Sequence, residues 1–437
     1  MKVSFENLGI VKKADIDLSK KLLVFCGPNG TGKTYVSYAV YGYLSRNILM
    51  SSNHIFNTVE LVQRKEMTID LDYNKLYIQR EHYDANPFIH QTFGLIGNWF
   101  FENFKIKSIL SKDEFVKKIR GATFEFEHTV SNCTIVYEKE SESDKVKLTL
   151  KNDFEIDITN IWFDVDVLQN MKLVKYLCFE SIIDAYILPV ERSSVYTFAD
   201  ELAKNKFSDP ESKGRYPRPI QDALATAIDL NVTKTRKSKY KWLAEEIEQQ
   251  ILHGQINVSI DGEMQFRPDN SDKILSVHLS ASIIKNLSGL LIYLKHQAKE
   301  NELLIIDEPE LGLHPDNQIL LARIFARLIN NGIRLLISTH SDYIIRELNN
   351  LIMLSSENIA IKENIEKWGY KKEEKINVKD VGAYLFDFDT ENPDQIVVKS
   401  LEVDDKGFEV ETIDKAINLL NENSENIYYN LKYGKKG

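Results

Sequence analysis

The chain has 437 residues, of which 43% are hydrophobic and 27% charged, and its formal net charge is −10. This supplies enough apolar material for two lobes with buried cores. The acidic balance excludes a general polyanion binder, although it leaves room for a local basic patch. The longest apolar run, FGLIGNWFF at 93–101, is shorter than the roughly 20 residues that a membrane-spanning helix needs.

The first residues, MKVSFENLGIVKKADIDL, contain no long apolar segment, so we expect no secretory signal. The three cysteines, Cys26, Cys133 and Cys178, lie far apart and fit neither a disulfide framework nor a zinc site. Reduced cysteines are typical of the cytosol, and we therefore expect a cytoplasmic protein.

The segment KLLVFCGPNGTGKTY, residues 21–35, contains the phosphate-binding pattern G-x-x-x-x-G-K-[ST]. The apolar run LLVFC predicts a buried strand, and the spacing of apolar residues after the pattern predicts a helix. In a strand, loop and helix of this kind, backbone N–H groups and the helix N-terminus face the phosphates. A chance glycine-rich turn is the alternative, and this context disfavours it. The predicted ATP-binding residues are Gly27, Pro28, Asn29, Gly30, Thr31, Gly32, Lys33 and Thr34.

Two adjacent carboxylates follow a second apolar run, in NELLIIDEPELGLHPDNQ at 301–318. LLIID predicts a buried strand that ends in Asp307 and Glu308, and at a strand end both side chains can face the phosphates. We expect Asp307 and Thr34 to hold Mg²⁺, and Glu308 to polarise the attacking water as a general base. A solvated acidic turn is the alternative, which the four preceding apolar residues disfavour.

A third strand is predicted from IRLLIST, immediately before His340. A histidine at a strand end is more often structural than catalytic when it stands alone. Here it follows two strands that already carry phosphate-site residues, which favours contact with the γ phosphate or the attacking water. The predicted catalytic residues are therefore Lys33, Glu308 and His340.

GPNGTGKT, DEPELGLHP and STHSD, in this order, resemble the motifs of ABC-type ATPases. They resemble more closely those of the soluble branch with the OLD (overcoming lysogenisation defect) ATPases, the SMC-like repair ATPases and the AAA-labelled ATPases of prokaryotic defence systems. The resemblance covers about residues 1–45 and 275–355. It implies an α/β P-loop NTPase with an ABC-type ATPase head that dimerises around two ATP molecules. One subunit then supplies the P-loop, and the other supplies a signature loop to the same γ phosphate.

The resemblance places the signature loop at the start of a helix predicted from VHLSASIIKNLSGLLIYLKHQ, 277–297. Ser280, Ala281 and Ser282 stand where the family usually has a serine followed by one or two glycines. Ser280 or Ser282 can donate to phosphate, but the close backbone approach that glycine permits is missing. A serine N-cap is the alternative, and both roles are compatible. His314 and Asp316 fall in the family's dimer-contact loop.

The same branch often has P-x-E-R at a strand end, which here is Pro189–Arg192. We expect Arg192 to face the nucleotide or the dimer interface, or else to form a structural ion pair near Glu191.

The P-loop and the acidic motif are far apart, because Lys33 and Asp307 are separated by 274 positions (307 − 33). That distance excludes a compact transporter domain, and no sustained heptads predict a coiled-coil arm. Alternation at 122–158 is typical of a β-meander, and 254–268 predicts a hairpin. We predict a split ATPase head, 1–50 and 255–437, with an inserted α/β lobe at 51–254 that has β-meander and helical parts and partly completes the head core.

A basic cluster beside Tyr240 and Trp242 lies in NVTKTRKSKYKWLAEEIEQQ, 231–250. Basic residues beside aromatic ones suit a nucleic-acid backbone. A solvated loop or a contact with an acidic partner is the alternative, which the lack of a wider basic field favours. The cluster consists of Lys234, Arg236, Lys237, Lys239 and Lys241.

Full-length OLD proteins carry a TOPRIM nuclease after the head, and FDFDTE supplies two acidic residues, Asp387 and Asp389. No glutamate-glycine strand precedes them, so we expect loop residues without a nuclease role. The chain then contains an ATPase but no effector of its own.

We therefore predict a cytosolic ATPase that uses ATP and Mg²⁺ and forms a homodimer or higher homo-oligomer through its heads. It would control a separate nuclease or toxin, by resemblance in prokaryotic anti-phage defence. One alternative is a repair or chromosome-maintenance ATPase that binds nucleic acid through Lys234–Lys241. Another is a degenerate ATPase that uses bound ATP as a switch, and no membrane partner is expected.

Overall fold

The structure is a computed structural model that describes residues 2–44, 67–70, 105–109, 133–139, 145–152, 161–164, 184–199 and 216–433. Its strands are β1 (Lys2–Leu8), β2 (Val11–Asp17), β3 (Leu22–Cys26), β4 (Met67–Asp70), β5 (Lys105–Ile109), β6 (Cys133–Lys139), β7 (Lys145–Asn152), β8 (Ile161–Asp164), β9 (Asp184–Leu188), β10 (Gly254–Val258), β11 (Met264–Pro268), β12 (Leu275–Ser276), β13 (Glu302–Asp307), β14 (Arg334–Ser338), β15 (Val381–Phe388) and β16 (Ile396–Leu401).

Among the residues that the structure describes, the helices lie mainly after residue 184. They are α1 (Lys33–Leu44), α2 (Arg192–Thr197), α3 (Arg218–Ile228), α4 (Leu230–Thr233), α5 (Lys241–Ile247), α6 (Ser282–His296), α7 (Pro315–Asn330), α8 (Asp342–Met353), α9 (Ile359–Asn364) and α10 (Glu411–Tyr433). In the described ranges, no helix combines the length and the apolar composition that a membrane crossing requires.

The largest sheet of the described ranges has nine strands in the order β5-β1-β2-β16-β15-β3-β14-β13-β9. Its strands β15, β3, β14, β13 and β9 are all parallel neighbours. Because the carboxyl ends of parallel strands meet at one edge, the segments that follow β3, β9, β13 and β14 converge there. We call this the phosphate edge.

Both faces of the parallel strands are buried. Along β3, Leu22, Val24 and Cys26 pack into one core cluster with α6, α7 and α8, whereas Leu23 and Phe25 pack into a second with α1. A strand covered on both sides consists mainly of apolar residues, which explains why LLVFC and the LLII before Asp307 are continuous apolar runs.

The structure confirms the predicted α/β P-loop fold. The strand, loop and helix around the phosphate-binding pattern are β3, residues 27–32 and α1. The predicted hairpin is β10 paired with β11, and Gly262 in its turn has φ +90°. The third predicted strand, β14, ends at Ser338 and thus one residue before the predicted end.

The division into a split head and an inserted lobe stays a prediction. Within 51–254, strands β5 and β9 belong to the nine-stranded sheet. Four others form a separate sheet of order β4-β6-β7-β8, in which β6 and β7 pair antiparallel as the β-meander prediction requires. The helix predicted at 111–121 and the apolar run at 93–101 lie outside the described residues.

Candidate functional site

The loop between β3 and α1 depends on three glycines with positive φ. Gly27, Gly30 and Gly32 have φ values of +135°, +74° and +83°. A Cβ on Gly27 would lie 2.1 Å from the carbonyl oxygen of Phe386, and one on Gly32 would lie 2.5 Å from Cγ2 of Val11. Only glycine fits these positions, so the loop can bring its backbone close to a ligand.

Lys33 folds back over this loop. Its Nζ donates to the carbonyl oxygens of Gly27 at 3.0 Å and Pro28 at 2.7 Å, and Thr31 Oγ1 also donates to Pro28, at 2.8 Å. Burial lowers the pKa of Lys33 to about 8, whereas the carboxylate of Asp307 acts in the opposite direction. The ammonium group of Lys33 thus lies beside the loop, where phosphate oxygens can replace the two carbonyl oxygens as its hydrogen-bond acceptors.

Asp307, at the end of β13, contacts residues of two neighbouring elements. Its Oδ2 accepts a hydrogen bond from Thr34 Oγ1 at 2.7 Å, and its Oδ1 accepts one from Ser338 Oγ. Asp307 and Ser338 are also register partners of the β13–β14 pair. Ser338 therefore fixes the orientation of the carboxylate that faces the P-loop.

The oxygen atoms of Thr34 and Asp307 fit a magnesium site. Mg²⁺ in nucleotide sites takes one or two protein oxygens and completes its shell with phosphates and water. A hydroxyl and a carboxylate 2.7 Å apart supply such a pair. In the described part of the chain, no three His, Cys, Asp or Glu side chains gather as a metal site of their own.

Glu308 has an unusual backbone for a non-glycine residue, with φ at +47°. Its N–H donates to the carbonyl oxygen of Ser338 at 3.0 Å. The carboxylate is partly open to solvent, and its Oε1 lies 3.8 Å from Nε2 of His340. Burial raises the pKa of Glu308, Asp307 raises it further, and Lys33 lowers it.

His340 is held in place by Glu310, a residue that the sequence analysis did not single out. Glu310 Oε1 accepts hydrogen bonds from the N–H of His340 at 2.7 Å and from Thr339 Oγ1 at 2.9 Å. Burial lowers the pKa of His340, as does the charge of Lys33, and both effects favour the neutral imidazole. The sequence feature that could have indicated this contact is Glu310 itself, the second glutamate of DEPE.

The predicted signature segment lies at the start of α6, but neither of its serines caps the helix. The N-cap is Ala281, which has no side-chain hydrogen bond, and Ser282 is the first helical residue. Ser280 Oγ donates to the carbonyl oxygen of Ser276 at 3.0 Å. No contact within the described ranges joins Ser280 or Ser282 to Lys33. Of the predicted dimer-contact loop, His314 is the N-cap of α7 and Asp316 lies in the first turn of that helix, and both are exposed and 3.4 Å apart.

Comparison with known families decides the classification. Residues 1–345 match the family described as AAA ATPase domain. This chain belongs to that family of AAA ATPase domains. The match includes the P-loop, the Asp307–Glu308 pair and His340, so the motifs predicted from the sequence all lie in the ATPase domain.

Solved structures similar to this ATPase domain include SMC heads. The SMC head domain from Thermotoga maritima is 10% identical, with 92% of this chain and 98% of that chain covered and a TM-score of 0.33. The Smc head with an extended coiled coil bound to the C-terminal domain of ScpA, derived from Pyrococcus furiosus, is 11% identical, with 96% and 98% covered and a TM-score of 0.39. These similarities are too distant to bear on function. Among curated proteins, none matches the chain significantly.

Three of the five cations of the basic cluster contact acceptors within the ATPase domain. Tyr240 is buried, and Trp242 lies against the guanidinium of Arg327. The side chains of Arg236 and Lys237 are exposed. The other three cations have acceptors within the chain: Lys234 at Asn231 and at the carbonyl oxygens of Ser259 and Ile260, Lys239 at Glu300, and Lys241 at Glu245. The arrangement favours a solvated loop over a nucleic-acid surface.

The two aspartates weighed as nuclease residues contact local groups. Asp387 is in strand β15, not in the loop that we predicted, and its Oδ1 accepts the N–H of Phe388 at 2.9 Å. Asp389 follows the strand and lies 3.6 Å from Nζ of Lys12. Neither belongs to a metal-binding group within the described ranges.

Proposed function

We propose that this chain hydrolyses ATP, that two ATPase heads close around ATP and Mg²⁺, and that the closed dimer controls a separate effector protein. One observation carries the proposal. Lys33, Thr34, Asp307, Glu308 and His340 come from three separate segments and meet at the phosphate edge. These side chains supply the cation, the magnesium ligands and the base that phosphoryl transfer from a nucleoside triphosphate needs.

ATP binding begins at the P-loop. The triphosphate accepts hydrogen bonds from the loop N–H groups and from Lys33, which leaves the carbonyl oxygens of Gly27 and Pro28. Thr34 and Asp307 would hold Mg²⁺, which when bound neutralises charge on the β and γ phosphates. Ser338 keeps Asp307 directed at that position.

Hydrolysis relies on Glu308. Its carboxylate accepts a proton from the attacking water while the water oxygen bonds to the γ phosphorus. The bond from phosphorus to the β–γ bridging oxygen breaks, and ADP and phosphate are the products. His340, 3.8 Å from Glu308, is within reach of the same water or of a γ-phosphate oxygen.

Dimerisation is supported by the start of α6. Ser280 and Ser282 have no described contact with Lys33, and the exposed His314 and Asp316 lie at the N-terminus of α7, which follows the Glu308 segment. A helix N-terminus with an uncapped first turn suits a phosphate brought by a second subunit.

Control of an effector in anti-phage defence rests on the resemblance of the three motifs to the defence-system ATPases. Direct nucleic-acid handling lacks comparable support, since Lys234, Lys239 and Lys241 are engaged within the chain. We therefore propose a protein effector, and nucleic acid is an outcome of the test.

The test uses the tagged Glu308→Gln protein, purified from its native host with ATP and Mg²⁺. The matched control also carries Lys33→Ala and so lacks ATP. We expect the Glu308→Gln protein to double its native mass with ATP and to retain a stoichiometric protein whose activity the purified ATPase alters. The control should do neither. Nuclease-sensitive DNA or RNA without a protein partner would overturn effector control, and an ATP-independent mass would overturn ATP-driven dimerisation.

A further inference from the structure

Arg192 is the most completely bonded buried cation near the site. It is the first residue of α2, which Pro189, Val190 and Glu191 connect to β9, and only 2% of its surface is exposed. Its Nη1 donates to the carbonyl oxygens of Asp307 at 2.6 Å and Pro189 at 3.2 Å. Nη2 donates to that of Glu308 at 2.7 Å, and Nε to that of Asn286 at 3.1 Å. This differs from our prediction, which placed Arg192 against the nucleotide, the dimer interface or a carboxylate.

The acceptors of Arg192 explain why an arginine is needed. They belong to three segments, namely the chain at the ends of β9 and β13 and the second turn of α6. A guanidinium presents five N–H groups in a rigid planar fork, whereas a lysine ammonium is a compact charge on a flexible stem. Only a guanidinium can donate hydrogen bonds to all three segments at once.

Two of these bonds fix the backbone around Glu308. Its left-handed φ of +47° is unfavourable for a residue with a side chain, and such a conformation persists only where its surroundings determine it. The N–H of Glu308 is held by Ser338, and its carbonyl oxygen is held by Arg192. Hydrogen bonds thus hold the peptide groups on both sides of the Glu308 Cα.

A further contact links this arrangement to α6. The main-chain oxygen of Asn286 accepts from Arg192, while its Nδ2 donates to the carbonyl oxygen of Leu311 at 2.9 Å. A Cβ on the next residue, Gly312, would lie 2.6 Å from that nitrogen, so the fit is tight. Helix α6, Arg192 and the segment from Asp307 to Gly312 are therefore in continuous contact.

We propose that Arg192 is a positioning residue for hydrolysis. It holds the main chain of Asp307 and Glu308 so that the Glu308 carboxylate stays at the phosphate edge. Through Asn286, it also makes the position of Glu308 depend on that of α6. The inference rests on the proposed role of Glu308 as the base, and it assigns Arg192 no contact with ATP.

The first test is Arg192→Lys, which keeps the charge but removes the fork. We expect kcat to fall by about 10- to 100-fold, because small displacements of a catalytic group cost this much. The KM for ATP and its dissociation constant should stay within about threefold, since the P-loop is untouched. Arg327→Lys is the matched control, because Arg327 is another buried arginine and pairs with Glu246 away from the site. Its kcat should be unchanged at a comparable loss of thermal stability.

A double-mutant cycle separates positioning from general damage. In the Glu308→Gln background, Arg192→Lys should slow single-turnover hydrolysis by less than about threefold, because the group that it positions is already disabled. An equal loss in both backgrounds, or a change in KM alone, would overturn the proposal. Should Arg192→Lys not fold, Arg192→Gln, which keeps a planar donor, is measured in the same way. If the wild-type turnover does not depend on Glu308, the proposed function fails first, and the inference fails with it.

Discussion

Two helix N-termini in this molecule are expected to meet phosphate, and they are built differently. Helix α1 follows a loop with three glycines at positive φ and carries Lys33 at its first position. Helix α6 follows Ser280 and Ala281, both with extended backbone, and its segment contains no glycine at the N-terminus. The first allows the backbone to approach a ligand closely, and the second offers only ordinary N–H groups and two hydroxyls.

The difference indicates that α1 and α6 contribute differently to ATP binding and to hydrolysis. We infer that most ATP affinity comes from the α1 side, which is complete within one subunit. The α6 side would add little affinity and would act mainly on turnover. Substitutions on the two sides should therefore separate binding from hydrolysis, and the expected effects range from about 100-fold or more to less than about twofold.

The largest effect is expected at Glu308. Glu308→Gln should lower kcat by roughly 100-fold or more, because it removes the general base while it keeps the size of the side chain. ATP affinity should be retained. Phosphate release and ATP titration of the same preparation measure both, with Glu300→Gln, an exposed glutamate, as the control. Near-normal turnover would show that Glu308 is not the base.

The second effect concerns binding. Lys33→Ala should weaken ATP binding by about 100-fold or more, since it removes charge-assisted bonds to two phosphates. A fluorescent ATP analogue measures the dissociation constant. Lys237→Ala, an exposed lysine of the basic cluster, is the matched control and should bind like the wild type. Unchanged affinity in Lys33→Ala would contradict the assignment of the P-loop.

The phosphate edge was largely predictable from sequence because its residues follow strands buried on both faces. LLVFC and LLII are continuous apolar runs for that reason, and the residues after them must lie at the sheet edge. Local patterns thus predicted Lys33, Asp307 and Glu308 together.

The supporting contacts were not predictable in the same way. Arg192 bonds to main-chain oxygens 94, 115 and 116 positions away, and a main-chain acceptor leaves no trace in the residue type. The pairing of the basic cluster was not predictable for a related reason, because the acceptor of Lys239 is 61 positions away at Glu300. Long-range pairing of this kind follows from the fold and not from local sequence.

A smaller effect is expected at the α6 side. Ser282→Asp places a negative charge at a helix N-terminus, where it stabilises the helix but repels an incoming phosphate. Turnover should fall by about tenfold, while the ATP dissociation constant of the monomer should change by less than about twofold. Ser282→Ala is the control and should lose no more than about threefold. Weaker binding in the monomer would mean that Ser282 acts in the ATP site of its own subunit.

The smallest effect is expected in the basic cluster, and it tests the nucleic-acid alternative. Four of its five cations are exposed, and of these Lys239 and Lys241 pair with Glu300 and Glu245, whereas Arg236 and Lys237 are the two chosen for substitution. The double variant Arg236→Ala/Lys237→Ala should change affinity for a DNA or RNA duplex by less than about twofold, because no extended basic field remains to be weakened. Fluorescence anisotropy at several salt concentrations measures this. If these two residues carried phosphate contacts, their loss would weaken binding uniformly across sequences and reduce the salt dependence by about two ions, since each contact releases about one. That result would favour direct handling of nucleic acid over control of a protein effector, and it would leave the assignment of the phosphate edge unchanged.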